Sequence, residues 1–128
     1  MDDHDRFTAG MKIRRAVLGD THVDNAETRK NSFNEPFQDL ITRYAWGEIW
    51  ARPGLSRHTR SLITVVMMVA LNRPDELRMH LRAALRNGVT REEIQELLLQ
   101  SAIYCGVPAA NSAFYIADEV FAEPNPAR

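Results

Sequence analysis

The sequence predicts an all-α fold: a compact bundle of about six or seven short helices, assembled into a homo-oligomer. Three observations carry this reading. Apolar residues recur at helical spacing along nearly the whole chain. No stretch alternates as a half-buried strand would. Helix start and stop signals punctuate the pattern, among them a capping box, prolines at first turns and glycines at ends. The 128 residues suit one domain, with an ordered core over 1–122 and a tail over 123–128.

Each element follows in order. Phe7, Met11, Ile13, Val17 and Leu18 form a helical stripe, with Asp2 or Asp3 as cap and Gly19 as stop. Asp20 to Asn34 is polar and reads as loop, with room for one short helix. Pro36 suits a first helical position, and Phe37, Leu40, Ile41 and Tyr44 follow at helical spacing. Trp46-Gly47-Glu48-Ile49-Trp50 closes that helix, and Arg52-Pro53-Gly54 turns the chain. Ser56 can cap a helix running to about Leu71, in which Thr64-Val65-Val66 would also tolerate a strand. Pro74 starts the next, carrying Leu77, Leu81, Ala84 and Leu85 and ending at Gly88. Thr90-Arg91-Glu92-Glu93 is a capping box before Ile94, Leu97 and Leu98. Gly106 ends that helix and Pro108 opens the last, with Ala113, Phe114, Ala117, Val120 and Phe121 on its buried side. Glu123 to Arg128 reads as a frayed tail.

Composition excludes several classes. Sixteen Lys+Arg stand against 17 Asp+Glu, for a formal net charge of -1, so no basic excess suggests a nucleic-acid partner. The single Cys105 cannot close an intramolecular disulfide. The longest apolar run, Val65 to Leu71, is far short of the roughly 20 residues of a spanning helix. The acidic start Met1-Asp2-Asp3-His4-Asp5 lacks an apolar signal core, so the expected compartment is the cytoplasm. A helix apolar on nearly all sides needs cover nearly all round, and Val65–Leu71 therefore argues for subunit contacts; a central helix in a monomer is the alternative.

Several constellations could carry chemistry. Arg57, Arg60, Ser61 and Thr64 share one face in the first two turns of a helix, where free N–H groups and the dipole favour anions. That is either a carboxylate site or a solvated stripe. Glu76 and His80 are i, i+4, with His80 at the border of the core face; it can shuttle a proton near neutral pH, or the two can be an ordinary surface pair. Glu48 between Trp46 and Trp50 is either a carboxyl in an apolar pocket, as a general acid requires, or an exposed acid. Tyr104 and Asn111 rim a small-residue junction around Gly106, where Cys105 reads as a structural thiol. His4, His22, His58 and His80 are scattered, without metal-ligand spacing, and no phosphate-binding glycine loop occurs.

Three stretches together make a specific pattern. They are Arg14-Arg15-Ala16-Val17-Leu18-Gly19-Asp20 with His22-Val23-Asp24; Arg52-Pro53-Gly54-Leu55 with Arg57 and Thr59-Arg60-Ser61-Leu62; and His80-Leu81-Arg82-Ala83-Ala84 through Gly88-Val89-Thr90-Arg91-Glu92-Glu93-Ile94 to Ala102–Asn111. On these the chain resembles the carboxymuconolactone decarboxylase family, from Asp2 to about Glu119. The resemblance implies an all-helical subunit, a ring-like homo-oligomer (commonly a hexamer) and no cofactor. It implies conversion of 4-carboxymuconolactone, a lactone dicarboxylate, to 3-oxoadipate enol-lactone and carbon dioxide in protocatechuate catabolism, the beta-ketoadipate pathway. The wider superfamily includes thiol peroxidases with CxxCxxxH; here the two cysteine positions read Arg73 and Glu76, which disfavours that chemistry. A non-catalytic ligand-binding oligomer is the other alternative.

For that reaction the enzyme must hold two carboxylates, stabilise an oxyanion and protonate a carbon. Arg57 and Arg60 suit the anions, His80 suits proton delivery, and Glu48 or Glu76 can orient it or supply the proton. Ser61 and Tyr104 are candidate oxyanion donors, and Trp46 and Asn111 complete the expected site.

Overall fold

A computed structural model describes residues 2–128. Their regular structure is entirely helical: α1 (Asp3–Leu18), α2 (Asp20–Thr28), α3 (Glu35–Ile41), a π-helical segment (Thr42–Ile49), α4 (Arg57–Ala70), α5 (Pro74–Arg86), α6 (Arg91–Tyr104) and α7 (Val107–Phe121). The chain divides into two compact units, one ending at Ser56 and one running Arg57–Arg128.

In the first unit Asp2 caps α1 by accepting from the Asp5 N–H at 2.8 Å. Gly19 ends α1 at φ 90°, a left-handed position that favours glycine, and α2 starts immediately. Arg15 then bridges Asp20 and Asp24, which fixes the corner. The polar stretch after Gly19 thus holds the one short helix for which there was room.

The helix expected from Pro36 to Trp50 changes register at Thr42. A Cβ on Gly10 would stand 1.9 Å from the Thr42 carbonyl oxygen, and one on Gly47 2.4 Å from the Arg6 carbonyl. Two glycines therefore let α1 and the π segment pack backbone against backbone. Val17, Leu18, Val23 and Trp46 are buried in this unit.

In the second unit α4 packs on α5 and α6, and α7 packs on α4, α5 and α6. Val65, Val69, Leu77, Leu81, Ile94, Leu98, Ala113 and Val120 form its core. The capping box at Thr90 has both reciprocal bonds: the Glu93 N–H donates to Thr90 Oγ1 at 3.1 Å, and the Thr90 N–H to Glu93 Oε1 at 2.9 Å. The run Val65–Leu71 is helical to Ala70, not extended, and only Val65 and Val69 of it are buried in the chain itself; Met67 and Leu71 are exposed. The tail is less free than its composition suggests. Arg82 binds Glu123 through both Nε and Nη2, and this guanidinium holds the Glu123 carboxyl below the usual carboxylate range.

Candidate active site

In the second unit the predicted carboxylate face sits on the first two turns of α4. Arg57 is exposed, Arg60 and Thr64 are half-buried and Ser61 is buried. Ser61 Oγ accepts from Asn87 Nδ2 at 3.2 Å, which ties α4 to the end of α5. Thr64 Oγ1 donates to the Arg60 carbonyl at 2.8 Å, an ordinary helical back-bond.

His80 lies on α5, the helix packed against α4, next to the fully buried Leu81. It is half-buried, as its place at the core border predicts, while Glu76 one turn earlier is exposed. Tyr104 and Asn111 are also exposed, Tyr104 at 82%.

Tyr104 reaches a groove of about 680 Å³ between α4 and α6. Leu62, Ile63, Val66, Leu97 and the half-buried Cys105 line it. Glu92, Glu93, Glu96 and Gln100 complete its lining. Carboxylates among apolar side chains repel an anion, so the groove is chemically unlike the arginine face of α4.

One pairing escaped the reading of the sequence. His58 Nε2 lies 2.9 and 3.0 Å from the two carboxylate oxygens of Glu93. The same carboxylate closes the Thr90 capping box, and the hydrogen bond from His58 is the chief reason it titrates below the usual range. The capping-box position of Glu93 was readable; that His58 lies beside it depends on the packing of α4 on α6.

In the first unit Trp46 is buried and tilted against Trp50, ring centroids 5.1 Å apart. Glu48 is not enclosed between them. It is exposed, and Arg6 Nε donates to its Oε2 at 3.3 Å. The exposed-acid alternative is the one realised, on a π turn and not a loop. Arg14, absent from the predicted site, is the buried cation of this unit. It is i+4 from Gly10 and i−3 from Val17, so it shares α1's packed face, a placement the helical period could have revealed. Among the described residues no three His, Cys, Asp or Glu side chains cluster as a metal ion would need.

An all-α chain with two arginines and a buried hydroxyl at a helix start, and a half-buried histidine on the helix packed beside it, carries groups able to bind an anion and to move a proton. Comparison with known proteins narrows this. The model of the carboxymuconolactone decarboxylase family matches residues 35–119. The 4-carboxymuconolactone decarboxylase of Acinetobacter baylyi is 52% identical over 121 residues, covering 94% of this chain and 90% of that protein. The nitrosuccinic acid decarboxylase npaB of Metarhizium robertsii is 44% identical over 110 residues, covering 86% of this chain and 77% of its own. A 4-carboxymuconolactone decarboxylase of Pseudomonas putida is 54% identical over 48 residues, 38% of this chain and the whole of that sequence. The chain belongs to the carboxymuconolactone decarboxylase family.

Proposed function

We propose that the chain decarboxylates 4-carboxymuconolactone to 3-oxoadipate enol-lactone and carbon dioxide. The observation that carries this is the 52% identity to a decarboxylase of that name over 94% of the chain. The substrate is a butenolide with a carboxylate and an acetate arm on the ring carbon beside the ring oxygen. When the carboxylate leaves as carbon dioxide, its electron pair moves through the ring double bond into the lactone carbonyl. The resulting furanolate takes one proton at the carbon next to that carbonyl. The substrate is its own electron sink, so the reaction needs binding, oxyanion stabilisation and a proton, with no cofactor.

In this proposal Arg57 and Arg60 bind the carboxylates and Ser61 donates to the oxyanion; Tyr104, in the glutamate-lined groove, stands outside that set. His80 delivers the proton, oriented by Glu76, and Glu48 is the alternative source. Trp46 and Asn111 complete the binding set. The half-buried setting of His80 and Arg60 supports these roles, since partial desolvation strengthens their interactions with a charged ligand.

The relative named for nitrosuccinic acid favours a broader substrate class. Nitrosuccinate is also a dicarboxylate with its own sink, a nitro group that takes the electron pair as a nitronate. Both acids should be assayed: loss of the carboxylactone's absorbance on adding protein, unaffected by EDTA and dialysis, is expected. No turnover of either acid refutes the proposal and leaves a binding oligomer.

We further propose that the protein works in the cytoplasm as one functional domain in a homo-oligomer, a hexamer by the family resemblance. Phe33 is 94% exposed, and Ile103, Tyr104 and Val107 form an exposed apolar corner between α6 and α7. Apolar surface of this kind marks interaction sites. Sedimentation gives the subunit number, and a monomer would refute this part.

A further inference from the structure

Phe33 is presented to solvent by a turn that is firmly held. The Phe33 and Asn34 N–H groups donate to Asn31 Oδ1 at 2.9 and 3.0 Å. The Asn31 N–H donates to Asn34 Oδ1 at 2.9 Å, and Asn34 Nδ2 donates to the Arg29 carbonyl at 3.0 Å. Four hydrogen bonds thus fix the backbone under a phenylalanine that is 94% exposed. An aromatic carried on a fixed turn has already lost backbone freedom that binding would otherwise take, which is how an anchor residue gains affinity. Phe37, Leu40 and Tyr44, spaced by three and four residues, are exposed as well and continue the apolar side. Two cations accompany it: Arg29 in the turn, and Arg43, whose guanidinium lies 5.8 Å from the centre of the Tyr44 ring. Among the described residues no carboxylate pairs with either, whereas Lys30 is matched by Asp39. Glu35, two residues before Phe37, points to the other side of α3.

The groove between α4 and α6 has the complementary chemistry. Leu62, Ile63, Val66 and Leu97 line about 680 Å³ of open space. Glu92 and Glu96, one turn apart on α6, stand in the same lining and are exposed. Glu93 is taken by His58, but among the described residues neither Glu92 nor Glu96 pairs with a cation. An apolar side with two unmatched arginines therefore fits an apolar groove with two unmatched carboxylates, in polarity and in sign. Neither surface fits itself, because like charges would meet. A phenylalanine buries roughly 150–250 Å². Phe33 and Phe37 alone would thus supply roughly a third of the about 800 Å² per partner that a standard interface buries. A contact between two different faces of one chain repeats from copy to copy and can close into a ring.

We propose that the Phe33 turn and the exposed side of α3 in one copy dock in the α4–α6 groove of a second copy, with Arg29 and Arg43 toward Glu92 and Glu96. This rests on the homo-oligomer proposed above and names the two faces that build it. The docked ring also shields Cys105, the chain's single cysteine, which is half-buried in the groove lining.

The test uses the full chain and two variants. Phe33→Ser removes the anchor, and Ile63→Lys sets a cation in the groove at a position outside the second unit's core. Sedimentation over a dilution series gives the concentration at which each dissociates. Loss of a buried aromatic anchor should raise that concentration roughly thirtyfold or more. An equimolar mixture of the variants should sediment larger than either alone, because one keeps the groove and the other keeps the turn. Iodoacetamide should alkylate Cys105 about tenfold or more faster in Phe33→Ser than in the parent, since an anchor's loss opens the groove to the reagent. A monomeric parent removes the oligomer reading and the docking with it. Undiminished association in Phe33→Ser, or an unchanged Cys105 rate, overturns the docking and leaves the oligomer standing. A mixture no larger than its components overturns the pairing of two unlike faces. Phe33 stands in water, so Phe33→Ser decides the matter even where Ile63→Lys fails to fold.

Discussion

Gly10→Ala sets two physical effects against each other. Helix propensity alone favours the change: alanine is about 0.8–1 kcal/mol better than glycine in a helix interior. The packing opposes it. The new Cβ would meet the Thr42 carbonyl oxygen at 1.9 Å and the Gly47 nitrogen at 2.9 Å. Both are backbone atoms, so no rotamer change relieves the clash, and α1 must part from the π segment by about 1.5 Å to reach ordinary contact. Overpacking that flexible side chains absorb costs typically about 1–3 kcal/mol, and a clash with backbone belongs at or above the upper end. The net effect is a loss of about 2 kcal/mol or more, since packing outweighs propensity. At roughly 3–4 °C per kcal/mol for a chain of this length, the melting temperature should fall by about 6–8 °C or more. Gly54→Ala is the control, because nothing lies within 4 Å of its Cβ position, and its melting should be essentially unchanged. Thermal and urea melts of the two variants decide the matter. A Gly10→Ala variant that melts at or above the parent would show that the two backbones are not in contact.

Arg57→Ala and Arg60→Ala should each lower kcat/KM by about one to two decades, the value of a hydrogen bond to a charged group; unchanged kinetics in both would leave the α4 face without a role. His80→Gln should lose about 10²–10⁴ in rate and erase one limb of the pH–rate profile, whereas near-normal turnover would turn attention to Glu48 as the acid. Glu93 is held below its ordinary carboxyl value chiefly by His58, so its contribution to stability is present above the unfolded carboxyl range near 4.3 and is lost as pH falls through the lower folded value. The melting-temperature gap between the parent and His58→Ala should therefore be open near pH 6 and narrow below about pH 4, and a pH-independent gap would contradict the pairing.

Local chemistry made most helix boundaries readable. The Thr90–Glu93 box, Asp2, Gly19, Gly88 and Pro74 each act through their own backbone or a neighbour within four residues, so the signal and its effect lie in the same short window. The face of α4 was readable for the same reason, because residues three and four apart are neighbours on any helix. What required the second partner was not readable. Glu48 could sit in a pocket or in water until Arg6, 42 positions away, was placed beside it. His58 and Glu93 are 35 residues apart, and only the packing of α4 on α6 makes them a pair.

The π segment shows the limit most directly. The residues from Thr42 to Ile49 carry no composition that separates a π turn from an α turn, and the close approach of α1 to them depends on Gly10 and Gly47, which lie 37 positions apart. The same approach settles the fate of two adjacent arginines. Successive residues on a helix point about 100° apart, so Arg14 and Arg15 cannot share an environment. Arg15 faces Asp20 and Asp24 and is matched by both, while Arg14, one turn beyond Gly10, is carried under Thr42 to neutral acceptors alone. A sequence that reads simply as two basic residues thus contains one satisfied charge and one unsatisfied one.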